Sequence, residues 1–308
     1  MHYTLHQLNV FLKVAQLKSV TKAADELFLS QPAVSIQLKK FQEQFDIPLT
    51  EVIGRQLYVT EFGTEIAVAA QNILNEVYAI NYKTQAYKGK LCGKLKISIV
   101  STAKYIMPYL LSDFMNENRD LELLLDVTNK SKVIESLEKN EVDFAMVSVL
   151  PNNLQIEKLT LMENKLYLVG NNACDFSKNT CSFEVFHNLP LIYRERGSGT
   201  RIAMEQFIEK NDLKAQLKME LTSNEAVKQA VIAGIGFSIM PIIGIKNELE
   251  NGQLQIINVQ NFPIKSKWYL IWPKNKKFSP LASSYLKYLK ENKNDIMEKH
   301  FGWISQYH

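Results

Sequence analysis

Residues 19–45 read SVTKAADELFLSQPAVSIQLKKFQEQF, and this stretch predicts two short helices joined by a tight turn. The turn falls at Phe28-Leu29-Ser30, and the second helix begins at Gln31-Pro32. Proline fits only the first turn of a helix, because a backbone N–H at that position has no partner within the helix. Ser30 is a residue type that caps helix starts by accepting a bond from a free N–H. The stretch is therefore typical of a helix-turn-helix.

The second of these helices has two different faces. An apolar stripe at helical spacing is formed by Val34, Leu38, Phe41 and Phe45. The other face carries short hydrogen-bonding side chains and cations, which suits a helix in the major groove of DNA. The residues expected near base edges are Gln31, Pro32, Ser35, Ile36 and Gln37, and those expected at phosphates are Lys39 and Lys40. Two amphipathic helices also occur in proteins that do not bind DNA, and on that alternative these polar residues form a solvated face.

The flanking sequence supports DNA binding, because it resembles the LysR-type transcriptional regulators. Residues 5–14 (LHQLNVFLKV) resemble the first helix of that family, and residues 30–42 (SQPAVSIQLKKFQ) resemble its recognition helix. Residues 48–63 resemble its wing and the start of its linker helix. The resemblance continues to about residue 290 and implies that Arg55 lies on the wing, where it can enter the minor groove.

Two positions depart from the family pattern. Ile36 stands where the family usually has Arg, and Glu51-Val52-Ile53 stands where it usually has Phe-Glu-Arg. Both departures remove cations from the expected DNA-binding face. Ile36 can instead contact a thymine methyl group.

Composition sets wider limits. A length of 308 residues predicts two folded units. The net charge is +4, but residues 1–62 contain six Lys/Arg and six Asp/Glu, so the prediction of DNA binding rests on the motif and not on charge. The chain begins with an amphipathic helix and has no apolar run of membrane-spanning length, which predicts a cytoplasmic protein without a membrane partner.

A long helix is expected after the wing, because no Pro or Gly interrupts residues 64–88. Apolar positions four and three apart are typical of a short coiled coil. They are Ile66, Ala70, Ile73, Val77, Ile80, Thr84 and Tyr87. The alternative is a helix packed on its own domain. A helix of this length beside a DNA-binding unit favours a homodimer with two recognition helices, and the family resemblance implies a homotetramer.

From residue 94 the pattern changes to alternating strands and helices, which predicts a parallel sheet with helices on its faces. A second such series starts near Lys165, and the chain returns with WYLIW at residues 268–272. Two open α/β units with a return crossing resemble the periplasmic-binding-protein fold, which LysR-type effector domains have. The glycines of the GIGF stretch at residues 234–237 precede a strand, so they are interpreted as turn and close-packing glycines and not as a phosphate loop.

The expected fold class is α/β with an all-α N-terminal part: a winged helix-turn-helix, a long linker helix and a two-subdomain effector domain. The predicted domains are residues 1–62 for DNA binding, 63–90 for the linker helix and hinge, and 91–308 for effector binding. Within the last, subdomain I covers about 91–164 and 267–308, and subdomain II covers about 165–266.

A small-molecule effector is expected between the two subdomains. Open α/β sheets bind ligands at the carboxyl ends of their strands, and helix N-termini there favour an anion. Three loops fit this description, and their candidate residues are Ser101, Thr102, Ser131, Arg194, Ser198 and Thr200. The alternative is that the serines and threonines only cap helices and that Arg194 is an ordinary surface charge.

No cofactor, metal site or catalytic residue is expected. The three cysteines (Cys92, Cys174 and Cys181) do not form a disulfide framework, and no Cys/His cluster has metal-ligand spacing. Two other classes of protein remain as alternatives: a solute-binding protein, and an enzyme with a DNA-binding module. STAKYIMPYLL at residues 101–111 and RERGSGTR at 194–201 resemble the branch of the family that controls carbon-fixation operons, which hints at a phosphorylated or carboxylated effector.

Overall fold

The structure, a computed structural model, describes residues 3–54, 56–86, 91–173 and 181–307. The chain divides into two units, Met1–Leu91 and Cys92–His308. The elements of the first unit are α1 (Leu5–Leu17), α2 (Val20–Leu27), α3 (Gln31–Gln42), β1 (Thr50–Ile53), β2 (Gln56–Val59) and α4 (Glu61–Ala86).

The helix-turn-helix forms as local signals in the sequence predict. Ser30 caps α3, its hydroxyl accepting a hydrogen bond from the backbone N–H of Ala33 at 3.4 Å. Phe28 ends α2 in the left-handed conformation, with φ of 55°. Three members of the predicted apolar stripe (Val34, Leu38 and Phe41) are buried, and Phe45 packs against the same core. The stripe therefore holds α3 against α1 and α2 and leaves its other face outward.

The wing is an antiparallel hairpin. Thr50 pairs with Val59 at its base and Ile53 pairs with Gln56 at its tip. Arg55, expected to reach the minor groove, lies outside the described residues. The wing therefore supports the predicted DNA-binding architecture without placing that side chain.

The linker helix α4 contains 26 residues and spans about 39 Å at 1.5 Å per residue. Its first half packs on its own unit, where Ala70 and Leu74 are buried. Elsewhere on the helix surface, Ile73, Tyr78 and Ile80 are exposed. Both alternatives considered from sequence therefore apply. Some apolar residues of the helix pack on their own domain, and others are exposed, as a coiled-coil contact requires. The seam positions Thr84 and Tyr87 have side chains outside the described residues.

The second unit alternates strands and helices. Its elements in chain order are β3 (Gly93–Val100), α5 (Met107–Glu117), β4 (Leu121–Thr128), α6 (Lys130–Glu138), β5 (Phe144–Val147), β6 (Ile156–Asn171), α7 (Val185–Asn188), β7 (Pro190–Arg194), α8 (Gly199–Lys210), β8 (Gln216–Leu221), α9 (Asn224–Ile232), β9 (Ser238–Pro241), α10 (Lys246–Glu250), β10 (Leu254–Ile256), β11 (Ile264–Pro273) and α11 (Pro280–Phe301). Short 3₁₀ turns lie at Ser101–Tyr105, Ile242–Gly244 and Gly302–Gln306.

One sheet of the second unit has the strand order β10-β6-β11-β5-β3-β4, and β9 also pairs with β6. β3 runs parallel to both β4 and β5. β11 returns antiparallel to β5 and to the long β6. The carboxyl ends of β3, β4 and β5 therefore meet at one edge. The predicted subdomain boundary at residues 164 and 165 falls within β6, which is a continuous strand.

A second sheet pairs β7 in parallel with β8, and its core includes Leu191, Met204 and Phe237. Gly236 lies where this sheet meets the segment leading to β9. A Cβ atom at that position would lie 2.4 Å from the carbonyl oxygen of Pro190. The interpretation of this residue as a close-packing glycine is therefore confirmed.

Among the described residues, we find no helix with both the length and the apolar character needed to cross a membrane.

Candidate functional site

The outward face of α3 carries the residues expected to contact DNA. Gln31, Pro32, Ile36, Lys39 and Lys40 are exposed, and Ser35 and Gln37 are half-buried. None of the seven belongs to the buried stripe, so one helix face presents them together.

Local contacts order part of that face. The side-chain amide of Gln31 donates to the Ser35 hydroxyl at 3.1 Å, which aligns two hydrogen-bonding groups along the first turn. Lys39 lies 4.0 Å from Glu43, with 80 % of its side chain exposed. An ion pair this exposed adds little stability. Lys39 can therefore leave Glu43 and contact a DNA phosphate instead.

The second unit contains a polar cavity between its two sheets. It encloses about 210 Å³ of empty space, open solvent at its mouth included. Its lining residues follow the carboxyl ends of four strands, β3, β4, β5 and β7. They are Val100, Ser101, Thr102, Asn129, Lys130, Ser148, Arg194, Ser198, Gly199 and Thr200. The space inside the cavity is small, so it suits a compact ligand.

Arg194 is the buried cation of this cavity. Its side chain is 4 % exposed, at the end of β7. The Nη2 atom donates to the hydroxyl of Ser101 at 3.1 Å, which joins the two halves of the unit. The Nη1 atom is buried and has no hydrogen-bond partner among the described residues. An unmet donor on a charged group is costly when buried, so this nitrogen has a strong preference for an acceptor.

Neighbouring acidic residues hold the arginines of this region. Glu195 accepts from Nε of Arg194 at 2.8 Å and from Nη2 at 3.0 Å. Arg201, in the first turn of α8, donates to the backbone carbonyl of Arg194 at 2.9 Å and pairs with Glu205 and Glu220. The network fixes both the backbone and the guanidinium of Arg194.

The predicted serines and threonines occupy different positions. Thr102, Ser198 and Thr200 are buried and line the cavity. Ser198 is the N-cap residue of α8, but its side chain makes no capping hydrogen bond. Its hydroxyl is therefore not committed to a cap, contrary to the alternative considered from sequence.

Ser131 differs from the other candidates because it is exposed and does not line the cavity. It lies against the loop before α8, where Gly197 has φ of 88°. A Cβ atom on Gly197 would lie 2.7 Å from the Ser131 hydroxyl. Glycine permits both this backbone conformation and this close approach. Five of the six candidates are thus brought together, and Ser131 lies beside them.

Sequence reasoning missed three polar lining residues, Asn129, Lys130 and Ser148, as well as Val100 and Gly199. Asn129 and Lys130 belong to a loop that the sequence pattern indicated, but Ser131 was the residue of that loop predicted to contact the effector. Asn129 caps α6, accepting from the Lys132 N–H at 3.1 Å. Ser148 directly follows β5, so the rule that ligands bind at strand ends was sufficient to find it.

Lys130 supplies the other cation of the cavity. Burial lowers the pKa of its ammonium group below the ordinary lysine value, because the charged form loses solvation. A bound anion would offset this loss. With the N-termini of α6 and α8 also at the lining, the arrangement favours negative charge. No cluster of potential metal ligands occurs in the part of the chain that the structure describes.

Comparison with known proteins agrees with this architecture. Residues 5–64 match the family described as bacterial regulatory helix-turn-helix protein, lysR family, and residues 88–294 match the LysR substrate binding domain. The chain belongs to the LysR family. The predicted LysR-type transcriptional regulator, with an N-terminal helix-turn-helix and an α/β effector domain, is therefore confirmed.

Relatives within the LysR family are named as regulators and not as enzymes. The chain is 38 % identical over 287 residues to the HTH-type transcriptional activator CmpR of Synechocystis sp., covering 93 % of this chain and 94 % of that protein. It is 34 % identical over 290 residues to the RuBisCO operon transcriptional regulator of Allochromatium vinosum, covering 94 % and 96 %. The predicted resemblance to the carbon-fixation branch is confirmed.

A solved structure resembles the second unit. It is the CcmR regulatory domain of Synechocystis PCC6803 in complex with 2-PG, with a TM-score of 0.62 and 30 % identity. The alignment covers 64 % of this chain and 95 % of that one.

Proposed function

We propose that this LysR-type regulator binds double-stranded promoter DNA through α3 and the wing, and that a compact anionic effector in the cavity of the second unit changes this binding. The observation that carries the effector half is the buried Arg194, which lines the cavity and whose Nη1 donor has no hydrogen-bond partner in the part of the chain that the structure describes. A carboxylate or phosphate oxygen is the acceptor that such a group prefers.

The DNA-binding half of the proposal assigns two roles on α3. Gln31, Pro32, Ser35, Ile36 and Gln37 face base edges, where side chains read sequence. Lys39 and Lys40 contact phosphates, which position the helix without reading bases. Together with Arg55, they form the proposed DNA-binding set.

The effector half assigns Ser101, Thr102, Arg194, Ser198 and Thr200 to the ligand, with Ser131 at the edge of the site. The relative CcmR was solved with 2-PG in its regulatory domain, and the relatives from Allochromatium vinosum and Acidithiobacillus ferrooxidans are each named RuBisCO operon transcriptional regulator. We therefore place the target of this chain in carbon fixation.

Assembly follows from α4. Ile73 and Ile80 are 41 % and 63 % exposed, and a second copy of the helix would cover such apolar side chains. We propose a homodimer through this helix and a homotetramer formed from two dimers. The proposed domains are residues 1–62, 63–90 and 91–308, with subdomains of about 91–164 plus 267–308 and about 165–266. The proposed location is the cytoplasm.

Two hydrogen bonds link the two sides of the second unit, and we propose that effector binding acts through them. Arg194 reaches Ser101, and the hydroxyl of Tyr105 donates to Glu225 at 3.4 Å. A ligand that bonds to both sides of the cavity favours one arrangement of the two subdomains. A difference in affinity of about 1–3 kcal/mol between arrangements is enough to alter DNA binding.

A gel shift with the DNA upstream of the gene that encodes this protein tests both the DNA-binding half and the effector half of the proposal. Gln31→Ala is expected to reduce discrimination between this DNA and unrelated DNA by about 1–3 kcal/mol, with Lys290→Ala, an exposed residue of α11, as the control. Thr102→Val is expected to keep DNA binding and lose its dependence on added anion. Selective binding that survives Gln31→Ala would refute the α3 assignment. If Thr102→Val leaves the response of DNA binding to the added anion unchanged, the assignment of the effector site to the cavity is refuted.

A further inference from the structure

The guanidinium of Arg194 has two edges that can each bind a carboxylate with two parallel hydrogen bonds. Glu195 occupies the edge formed by Nε and Nη2, at 2.8 and 3.0 Å. Its side chain is only 13 % exposed, so water competes weakly for this pair. The protein itself thus fills the arginine edge that a ligand would otherwise use for a two-bond contact.

The remaining edge is left to the ligand. Nη2 also donates to Ser101, while Nη1 stays without a partner among the described residues. An effector can therefore contact Arg194 through Nη1 without displacing Glu195. Its other acceptors would meet the hydroxyl of Ser198, which makes no capping hydrogen bond among the described residues, and the N–H groups in the first turn of α8.

Glu195 also changes the charge that a ligand encounters. Its carboxylate neutralises the charge of Arg194 within the pair. Among the described lining residues, Lys130 is therefore the cation without such a counter-ion. Each additional negative charge on a ligand is attracted by Arg194 and repelled by Glu195. In a partly buried site this repulsion is weakly screened.

We propose that Glu195 is a specificity-determining residue: an internal counter-ion that holds Arg194 for contact through Nη1 and sets how much negative charge the site favours. The inference rests on the proposed function, because it requires that an anion occupy the cavity. Its basis is the pair of hydrogen bonds from Arg194 to Glu195, beside an Nη1 donor that has no partner among the described residues.

The test compares two tetrahedral anions that differ in charge, sulfate and perchlorate, by calorimetric titration of the full chain at constant ionic strength. Glu195→Gln removes the charge and keeps the shape. The variant is expected to bind sulfate roughly tenfold more tightly and perchlorate roughly threefold more tightly, because the lost repulsion scales with ligand charge. The ratio of the two affinities therefore rises about threefold. Glu209→Gln, which removes an exposed carboxylate of α8, is expected to leave the ratio unchanged.

Glu195→Asp is the second variant, and since it keeps the charge it should retain the wild-type ratio. An unchanged ratio in Glu195→Gln, or an equal shift in Glu195→Asp, would overturn the role of Glu195, even if both anions bind more weakly. Arg194→Ala separates the two hypotheses. If Arg194→Ala binds sulfate as tightly as the wild type, the proposed effector site fails as well. If Arg194→Ala weakens sulfate binding but Glu195→Gln leaves the ratio of the two affinities unchanged, only the Glu195 inference fails.

Discussion

Arg194 at the end of β7 donates a hydrogen bond of 3.1 Å to Ser101, which follows β3 in the other half of the second unit. The two residues are far apart in the chain and meet because both follow the carboxyl ends of strands. This contact connects the two sides of the cavity. If an effector binds at the proposed site, this is the bond that it would most directly strengthen.

Removing the hydroxyl of Ser101 should weaken anion binding. Ser101→Ala leaves Nη2 of Arg194 with Glu195 alone, so the guanidinium is held less firmly. A hydrogen bond to a charged group is worth about 1.5–3 kcal/mol, and we expect sulfate affinity to fall by roughly tenfold or more in calorimetric titration. Ser112→Ala, an exposed position on α5, serves as the control, and equal losses in both variants would contradict the prediction.

Anion affinity should fall with rising pH because of Lys130. Burial lowers the pKa of its ammonium in the free protein, and a bound anion favours the charged form. Binding is therefore strongest below the pKa of the free protein and is lost as pH rises through the pKa of the complex. Sulfate titrations over about pH 7 to 10, below the ordinary lysine pKa, are expected to show this decline. Lys130→Arg should flatten it, and a decline of equal size in that variant would assign the effect to another group.

Phosphate contact by Lys39 should appear in the salt dependence of DNA binding. Each phosphate neutralised by a protein cation contributes about 0.9 to the slope of log affinity against log salt concentration. Because the proposed dimer carries two copies of Lys39, Lys39→Ala is expected to reduce that slope by about 1.8 and to weaken specific and non-specific binding alike. Fluorescence anisotropy at several salt concentrations measures both effects. A slope that matches the wild type would show that Lys39 contacts no phosphate.

Dimerisation should depend on the exposed apolar residues of α4. Ile73→Glu places a charge on the proposed helix–helix contact, and we expect the dimer dissociation constant to rise at least about tenfold, since burying such a side chain is worth about 1.5–3 kcal/mol. Sedimentation velocity measures the change. Asn75→Glu, two residues along and on the opposite side of the helix, provides the matched control. A dimer insensitive to Ile73→Glu would place the interface elsewhere.

Gly236 should tolerate no side chain. In Gly236→Ala the new methyl group would meet the carbonyl oxygen of Pro190 at 2.4 Å, so the backbone of one segment must shift. We expect a loss of about 1–3 kcal/mol in the free energy of unfolding, measured by urea denaturation. Gly302→Ala is the control, because nothing lies within 4 Å of its added Cβ atom. A variant as stable as the control would contradict this packing.

The helix-turn-helix could be predicted from sequence because its signals are local. Ser30 and Pro32 mark the start of α3, and Val34, Leu38 and Phe41 mark its buried face, all within four turns of helix. Such signals depend on backbone geometry and on hydrophobic spacing, which neighbouring residues determine together. The linker helix was predicted on the same basis, but its pattern did not show that Ala70 would be buried on its own unit while Ile73 stayed exposed.

The sequence by itself determined the order of strands and helices and the loops at which a ligand site could form. Only the tertiary structure decided which side chains of those loops face the cavity: Lys130 and Ser148 line it, whereas Ser131 packs beside Gly197. It also decided that the side chain of Ser198 makes no capping hydrogen bond among the described residues and that Glu195 occupies one edge of Arg194. The physical reason is that the lining comes from the ends of four strands distant in sequence. Their approach, and the hydrogen bonds left unmet after they pack, depend on contacts that no local pattern contains.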